Sequence, residues 1–152
     1  MNAEHPNAAV YRKTADAFRA RDLRAIEALV DADVIWHVPG DHPRAGDIRG
    51  REALLSWLAD LAAVGFVLRE HDVFGNDEHV CALSYMGARR PGVDIETRVV
   101  SIFHFRDGRQ AERWFYPEDP AVWERIFDPE RSSPGQLGHT FDVAAGPGEV
   151  RR

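Results

Sequence analysis

One cysteine, Cys81, stands in a chain of 152 residues. It excludes an internal disulfide and any zinc site built on several thiolates. Lysine is as scarce: of 19 basic residues, 18 are arginine and one is Lys13, which reads as a coding bias. Long apolar runs are missing, and none approaches the ~18 residues of a membrane span. Residues 1–12, with Asn2, Glu4, His5, Pro6 and Asn7, hold no apolar stretch of the secretory-signal kind, so a cytoplasmic protein is expected. Positive charge is not in excess: 19 Lys and Arg against 25 Asp and Glu give −6. That is the opposite of the basic face a nucleic-acid partner needs.

Several chemical signatures are absent too. Gly40, Gly46 and Gly50 do not stand in a strand–GxGxxG–helix context, so no phosphate loop is read. Ser56 and Ser84 lack a nucleophile elbow. His37 and His42 are separated by Pro39-Gly40 at no usual ligand spacing, so neither a metal nor another cofactor is expected.

What is present fits one globular domain. Apolar residues make up 44% and charged residues 29%. Val10, Thr14, Ala17, Phe18 and Arg21 form a helical stripe and predict a first helix over 8–20. Asp22 caps a second, with Leu23, Ile26, Leu29 and Val30 on one face. Val34-Ile35-Trp36-His37-Val38 reads as a strand and residues 41–50 as loop. Leu54, Trp57, Leu58 and Leu61 set a third helix over 51–61. Four strands are then predicted over 66–74, 79–88, 93–106 and 110–116. Gly75-Asn76-Asp77, Arg90-Pro91-Gly92 and Asp107-Gly108 separate them with turn chemistry. Asp119-Pro120 opens a short last helix. Residues 128–152 read as a mobile tail with Phe141 and Val143 as its anchors, leaving a domain over 1–127.

Helices segregated from consecutive hairpins indicate an α+β fold: a curved antiparallel sheet with three N-terminal helices and a short C-terminal one. Helices on one face of a bent sheet enclose a cone whose interior suits a small ligand.

Particular residues add a resemblance. They are Arg21-Asp22-Leu23, the run from Asp33 to Gly40, the run from Ala45 to Ala53, Phe103-His104-Phe105-Arg106-Asp107-Gly108-Arg109 and Ala111-Glu112-Arg113-Trp114. With the element order, they resemble the nuclear-transport-factor-2-like superfamily and its SnoaL-like, ketosteroid-isomerase-related branch, across about residues 8–127. The resemblance implies a cone-shaped, cystatin-like fold. Such folds host isomerases, cyclases, dehydratases, epoxide hydrolases and binding proteins. The steroid isomerases' tyrosine and two aspartates fall on about Thr14, Val38 and Phe103, none able to do their work, so steroid isomerisation by that route is not expected. An epoxide-hydrolase-like set would be Glu96, Arg98 and Glu112. A cyclase-like pair would be His104 with Glu112, Glu118 or Asp119.

Strand alternation sorts the candidates. By the positional match, the odd-numbered face of the 93–106 strand, with Phe103, looks into the cone and His104 looks out. His37 lies opposite Trp36 and is expected outside unless a bulge turns it. His71 cannot be assigned a face. Only one of Glu112 and Arg113 can point inward on a regular strand, and Asp119 competes between catalysis and capping. The expected catalytic set is His37, His71 or Glu112 as base, with Arg113, Ser84 or a tryptophan N–H stabilising an oxyanion. The expected substrate-binding set is Phe18, Trp36, Trp57, Ser84, Phe103 and Phe115.

The functional expectation is a cofactor-independent enzyme moving protons on a small apolar carbonyl or polyketide-like metabolite. A non-catalytic binding or interaction module and an epoxide hydrolase stand as alternatives. With Arg113 inward, Val100, Ile102, Trp114 and Tyr116 form an apolar outer face suited to a homodimer.

Overall fold

A computed structural model describes residues 3–128; the tail with Phe141 and Val143 lies outside the described residues. Helix α1 spans Pro6–Arg19, α2 Leu23–Glu27 and α3 Arg51–Asp60. A 3-10 turn, Leu61–Val64, follows α3. Strands run over Val30–Val38 (β1), Gly46–Arg49 (β2), Phe66–Gly75 (β3), His79–Arg90 (β4), Val93–Arg106 (β5) and Arg109–Pro117 (β6), and α4 covers Pro120–Phe127. The caps are those the residue types dictate. The Asp22 carboxylate accepts from Ala25 N at 3.1 Å, and Asp119 accepts from Ala121 N and Val122 N at the start of α4.

The six strands form one sheet in the order β2-β1-β6-β5-β4-β3. β3 to β6 are the expected antiparallel meander. β1 departs from that pattern and runs parallel to β6, with Trp36 opposite Arg113. No hairpin turn connects this pair, so no turn signal announces it. Two boundaries also differ from the reading above. Val30 belongs to β1 and pairs with Gln110, ending α2 after Glu27. Residues 46–49, read as loop, form a short edge strand against β1. Its one apolar member, Ile48, leaves no alternation to detect.

Alternation along β5 is strict: residues 97, 99, 101, 103 and 105 are buried under the helices. Two bulges change the parity elsewhere. On β3, Glu70 pairs with Ser84 and Asp72 with Leu83, so His71 is the extra residue. Leu68, Glu70 and Val73 thereby all face the helices. On β6, Ala111 is the extra residue between Gln110 and Glu112.

The core has two lobes. One gathers Trp36, Leu54, Phe115, Trp123, Ile126 and Phe127. The other packs Ala8, Tyr11 and Ala15 of α1 on Val80, Ala82, Phe103 and Phe105. Arg90 fastens α4 to the sheet end. Its guanidinium donates to the carbonyls of Val64 at 2.6 Å, Ile126 at 3.0 Å and Arg125 at 2.8 Å. Gly65 makes the corner into β3 at φ +70°, where a Cβ would lie 2.0 Å from the Arg89 carbonyl oxygen.

Candidate functional site

Between the lobes lies a cavity of about 40 Å³, walled by α1, α3, α4 and the inner sheet face. Its lining is almost wholly apolar, with Phe18, Trp36, Trp57, Phe115, Trp123 and Phe127 supplying rings. The rings hold one another edge-on: Trp36 to Phe115 at 5.5 Å and 69°, and Trp36 to Trp57 at 6.0 Å and 71°.

One charge stands in this aromatic box. Arg113 is 6% exposed. Its guanidinium carbon lies 4.2 Å from the centroid of Phe115, 4.4 Å from Trp36 and 4.5 Å from Phe103. Nη2 donates to Ser101 Oγ at 2.9 Å, while Nε has no protein partner. Burial lowers the pKa of the guanidinium to about 10, against the pull of Tyr11 and Glu70, so it stays charged near neutrality.

Tyr11 is the residue beside it on the helix side, 2% exposed. Its hydroxyl donates to Glu70 Oε2 at 3.1 Å, and Glu70 Oε1 accepts from Arg19 Nη1 at 2.9 Å. Burial pushes the phenol well above the ordinary 10.0; Arg113 opposes the shift and Glu70 adds to it. Tyr11 is therefore a protonated donor. Neither Tyr11 nor Glu70 was singled out from the sequence. Tyr11 shares a helix face with Thr14, Ala15 and Phe18, all in the cavity wall, and that stripe was the available signal. Glu70 carried none, because its orientation depends on the bulge at His71.

The indole groups give a second polar feature. Trp57 Nε1 donates to the Arg44 carbonyl at 3.1 Å and Trp123 Nε1 to the Pro39 carbonyl at 2.9 Å. Trp36 Nε1 is buried without a partner. Two residues of the cavity wall, Trp36 and Arg113, thus each carry a buried N–H without a partner.

The expected site residues divide between two faces. Arg113, Phe18, Trp36, Trp57 and Phe115 line the cavity. Phe103 packs behind Arg113. Ser84 is buried but donates to the Val99 carbonyl at 3.2 Å, among residues of a separate depression that also includes His71. His37 and Glu112 lie on the outer face and pair there, Nε2 to Oε2 at 2.6 Å. Asp47 holds the other ring nitrogen at 2.8 Å, and the ring stacks on Trp114. Partial burial works against the charged ring, but the bonds to Glu112 and Asp47 outweigh it and raise its pKa above the ordinary 6.5. His71 is the exposed bulge residue, edge-on to Tyr85. Three of the four expected catalytic residues are therefore outside the cavity, and β alternation is the reason for His37 and Glu112. Glu96 and Arg98 share that outer face, pairing with Arg69 and Glu118, while His104 stacks on His79. Among the described residues no cluster of three or more His, Cys, Asp or Glu is arranged to hold a metal ion.

Comparison with known proteins settles the family. The SnoaL-like domain model matches residues 11–113, a span that runs from the cavity tyrosine to the cavity arginine. The chain belongs to the SnoaL-like family. An uncharacterized protein of Mycobacterium tuberculosis, Rv0034, is 31% identical over 120 residues, covering 76% of this chain and 92% of the relative. Among solved structures, Bal32a from a soil-derived mobile gene cassette matches with a TM-score of 0.76 at 25% identity, over 80% of this chain and 96% of Bal32a. TerC, co-crystallized with polyporic acid, matches at 0.70 and 22% identity, over 80% of this chain and 98% of TerC. These neighbours share the fold, as does a nuclear-transport-factor-2-like protein of Burkholderia xenovorans with a TM-score of 0.70 at 20% identity, over 83% of this chain and 98% of that one. No helix among the described residues is long and apolar enough to cross a membrane.

Proposed function

We propose that this SnoaL-like protein is a cofactor-independent cytoplasmic enzyme. It moves protons on a small, flat, largely apolar carbonyl or polyketide-like compound, giving cyclisation, isomerisation or dehydration. The observation that carries this reading is the buried Arg113 guanidinium, set in an aromatic cavity with Nε unpartnered. An oxygen placed against Arg113 Nε and Trp36 Nε1 meets fixed donors in a dry site. Charge developing on it is stabilised without solvent rearrangement.

The proton has a route on the helix side. The Tyr11 oxygen takes a proton from carbon while the Tyr11 O–H proton passes to Glu70. The electron pair of the broken C–H bond moves onto the substrate oxygen beside Arg113. One unit of negative charge thus leaves Glu70 and appears next to a cation, and the reverse flow returns the proton at another carbon. This assigns the base role to Glu70 acting through Tyr11, in place of His37, His71 or Glu112.

The test is proton exchange in heavy water, followed by NMR over a panel of aryl ketones and diketones. The expected result is exchange above the buffer rate for at least one compound, lost in Tyr11→Phe and Glu70→Gln with the fold intact. Binding without exchange by any compound overturns the catalytic reading. A binding module is the second reading, and one observation favours it: no histidine or carboxylate stands in the cavity wall itself. In either case we propose a homodimer through the outer sheet face, where Ile102 and Trp114 are paired neighbours and Tyr116 is 55% exposed.

A further inference from the structure

The charge pattern around the cavity names the ligand more narrowly. Arg113 is a buried cation that no carboxylate touches. The two Glu70 oxygens are taken, one by Arg19 and the other by Tyr11, whose phenol stands between Glu70 and Arg113. The hydrogen-bond partners Arg113 does have, the Ser101 and Tyr11 hydroxyls, are neutral groups. A charge enclosed this way is costly unless an opposite charge joins it.

The approach to the cavity has the same sign. A groove of about 400 Å³ adjoins it, and the two share Phe18, Leu58, Leu61, Phe66 and Leu68 as walls. The groove adds Arg19 and Arg21, and neither lining includes an aspartate or glutamate. Arg19 is ion-paired with Asp16 and Glu70, so Arg21 is the groove's further positive charge in a chain with a net charge of −6.

We propose that the ligand is an organic monoanion, a flat apolar body ending in an ionised oxygen acid, whose oxygen takes the free N–H donors of Arg113 and Trp36. This rests on the reading of the cavity as a small-molecule site and sharpens it: the carbonyl compound is an acid, bound ionised. Carboxylates and the enolates of β-diketones share that chemistry. The aromatic walls take the body in edge and face contacts, and the ionised oxygen supplies the counter-charge that Arg113 lacks.

The test uses matched pairs read by quenching of the cavity tryptophans. Cinnamate is compared with cinnamamide. A phenyl-substituted cyclic β-diketone, ionised at neutral pH, is compared with its enol methyl ether. The expected result is that at least one acid binds about tenfold or more tighter than its neutral partner, and that Arg113→Gln collapses this ratio. Preference within the first pair identifies a carboxylate ligand, and preference within the second alone an enolate. Neutral members binding as tightly as the acids overturn the anion while leaving the small-molecule site standing. No binding by any probe at millimolar concentration overturns both. A ratio that survives in Arg113→Gln overturns the role given to Arg113. Should that variant fail to fold, the ratios in the unaltered protein decide the question.

Discussion

Arg113 holds its guanidinium carbon 4.4 Å from the centre of the Trp36 ring, yet Nε of the one and Nε1 of the other both lack an acceptor. The pair is packed well and hydrogen-bonded poorly. Such an arrangement serves a bound group better than it serves the fold.

The first prediction follows from that imbalance. Replacing Arg113 with methionine removes a buried charge and keeps much of its volume. Stability should be unchanged or rise by about 1–3 kcal/mol, while anion binding and turnover are lost. Chemical denaturation with a binding titration checks both. A loss of several kcal/mol would show instead that Arg113 holds the two lobes together.

Tyr11→Phe deletes one hydroxyl from the chain that links Arg19, Glu70, Tyr11 and Arg113. The lost bond should cost about 1 kcal/mol, because Glu70 keeps Arg19 as partner. Proton exchange should fall by far more than stability does. Equal modest losses in both would mark Tyr11 as a packing residue only.

His37 gives the stability a pH dependence that the cavity does not share. The folded ring holds its proton more tightly than the unfolded one. Its contribution is therefore full below the ordinary 6.5 and disappears as pH rises past the folded value. The stability gap between the protein and His37→Gln should be largest below the ordinary 6.5, under about 1 kcal/mol because the pair is partly solvated, and should close as pH rises through the folded value. Thermal melts across that range read it directly. A gap that widens with pH would reverse the assignment.

Gly65→Ala should be damaging without touching the site. The substitution places a Cβ against the Arg89 carbonyl in a left-handed conformation. A loss of about 2 kcal/mol or more is expected, read as a lower Tm. An unaltered melt would mean that the corner between α3 and β3 yields freely.

The outer face supplies the last prediction. The protein should sediment as a dimer at about micromolar concentration, and Ile102→Glu, which puts a charge in the middle of that face, as a monomer. One mass for both species would remove the proposed interface.

The sequence made the meander legible because its turns carry glycine, proline and aspartate at hairpin spacing, and because alternation along β5 is unbroken. Arg113 could be set against Glu112 as rivals for the interior by alternation alone, and the fold gives the interior to Arg113. What could not be read lies where alternation is interrupted or pairing is remote. The parallel β1–β6 contact joins residues far apart in the chain. Ser84 has the parity of the inner face and stands opposite Glu70 in mid-strand, but its hydroxyl is bonded to the Val99 carbonyl. Glu70 sits one residue before a bulge, so counting from Val73 back along a regular strand would turn it outward.

That bulge gives the edge strand two separate duties. Upstream of His71 the strand supplies Phe66 and Leu68 to the cavity wall and Glu70 to Tyr11; downstream, Val73 closes the second lobe. Deleting the single residue His71 would set these duties against each other, so that one half could keep its post only by rotating the other into water. The carboxylate that Tyr11 bonds and a hydrophobic seal are thus coupled through an imidazole that need touch neither.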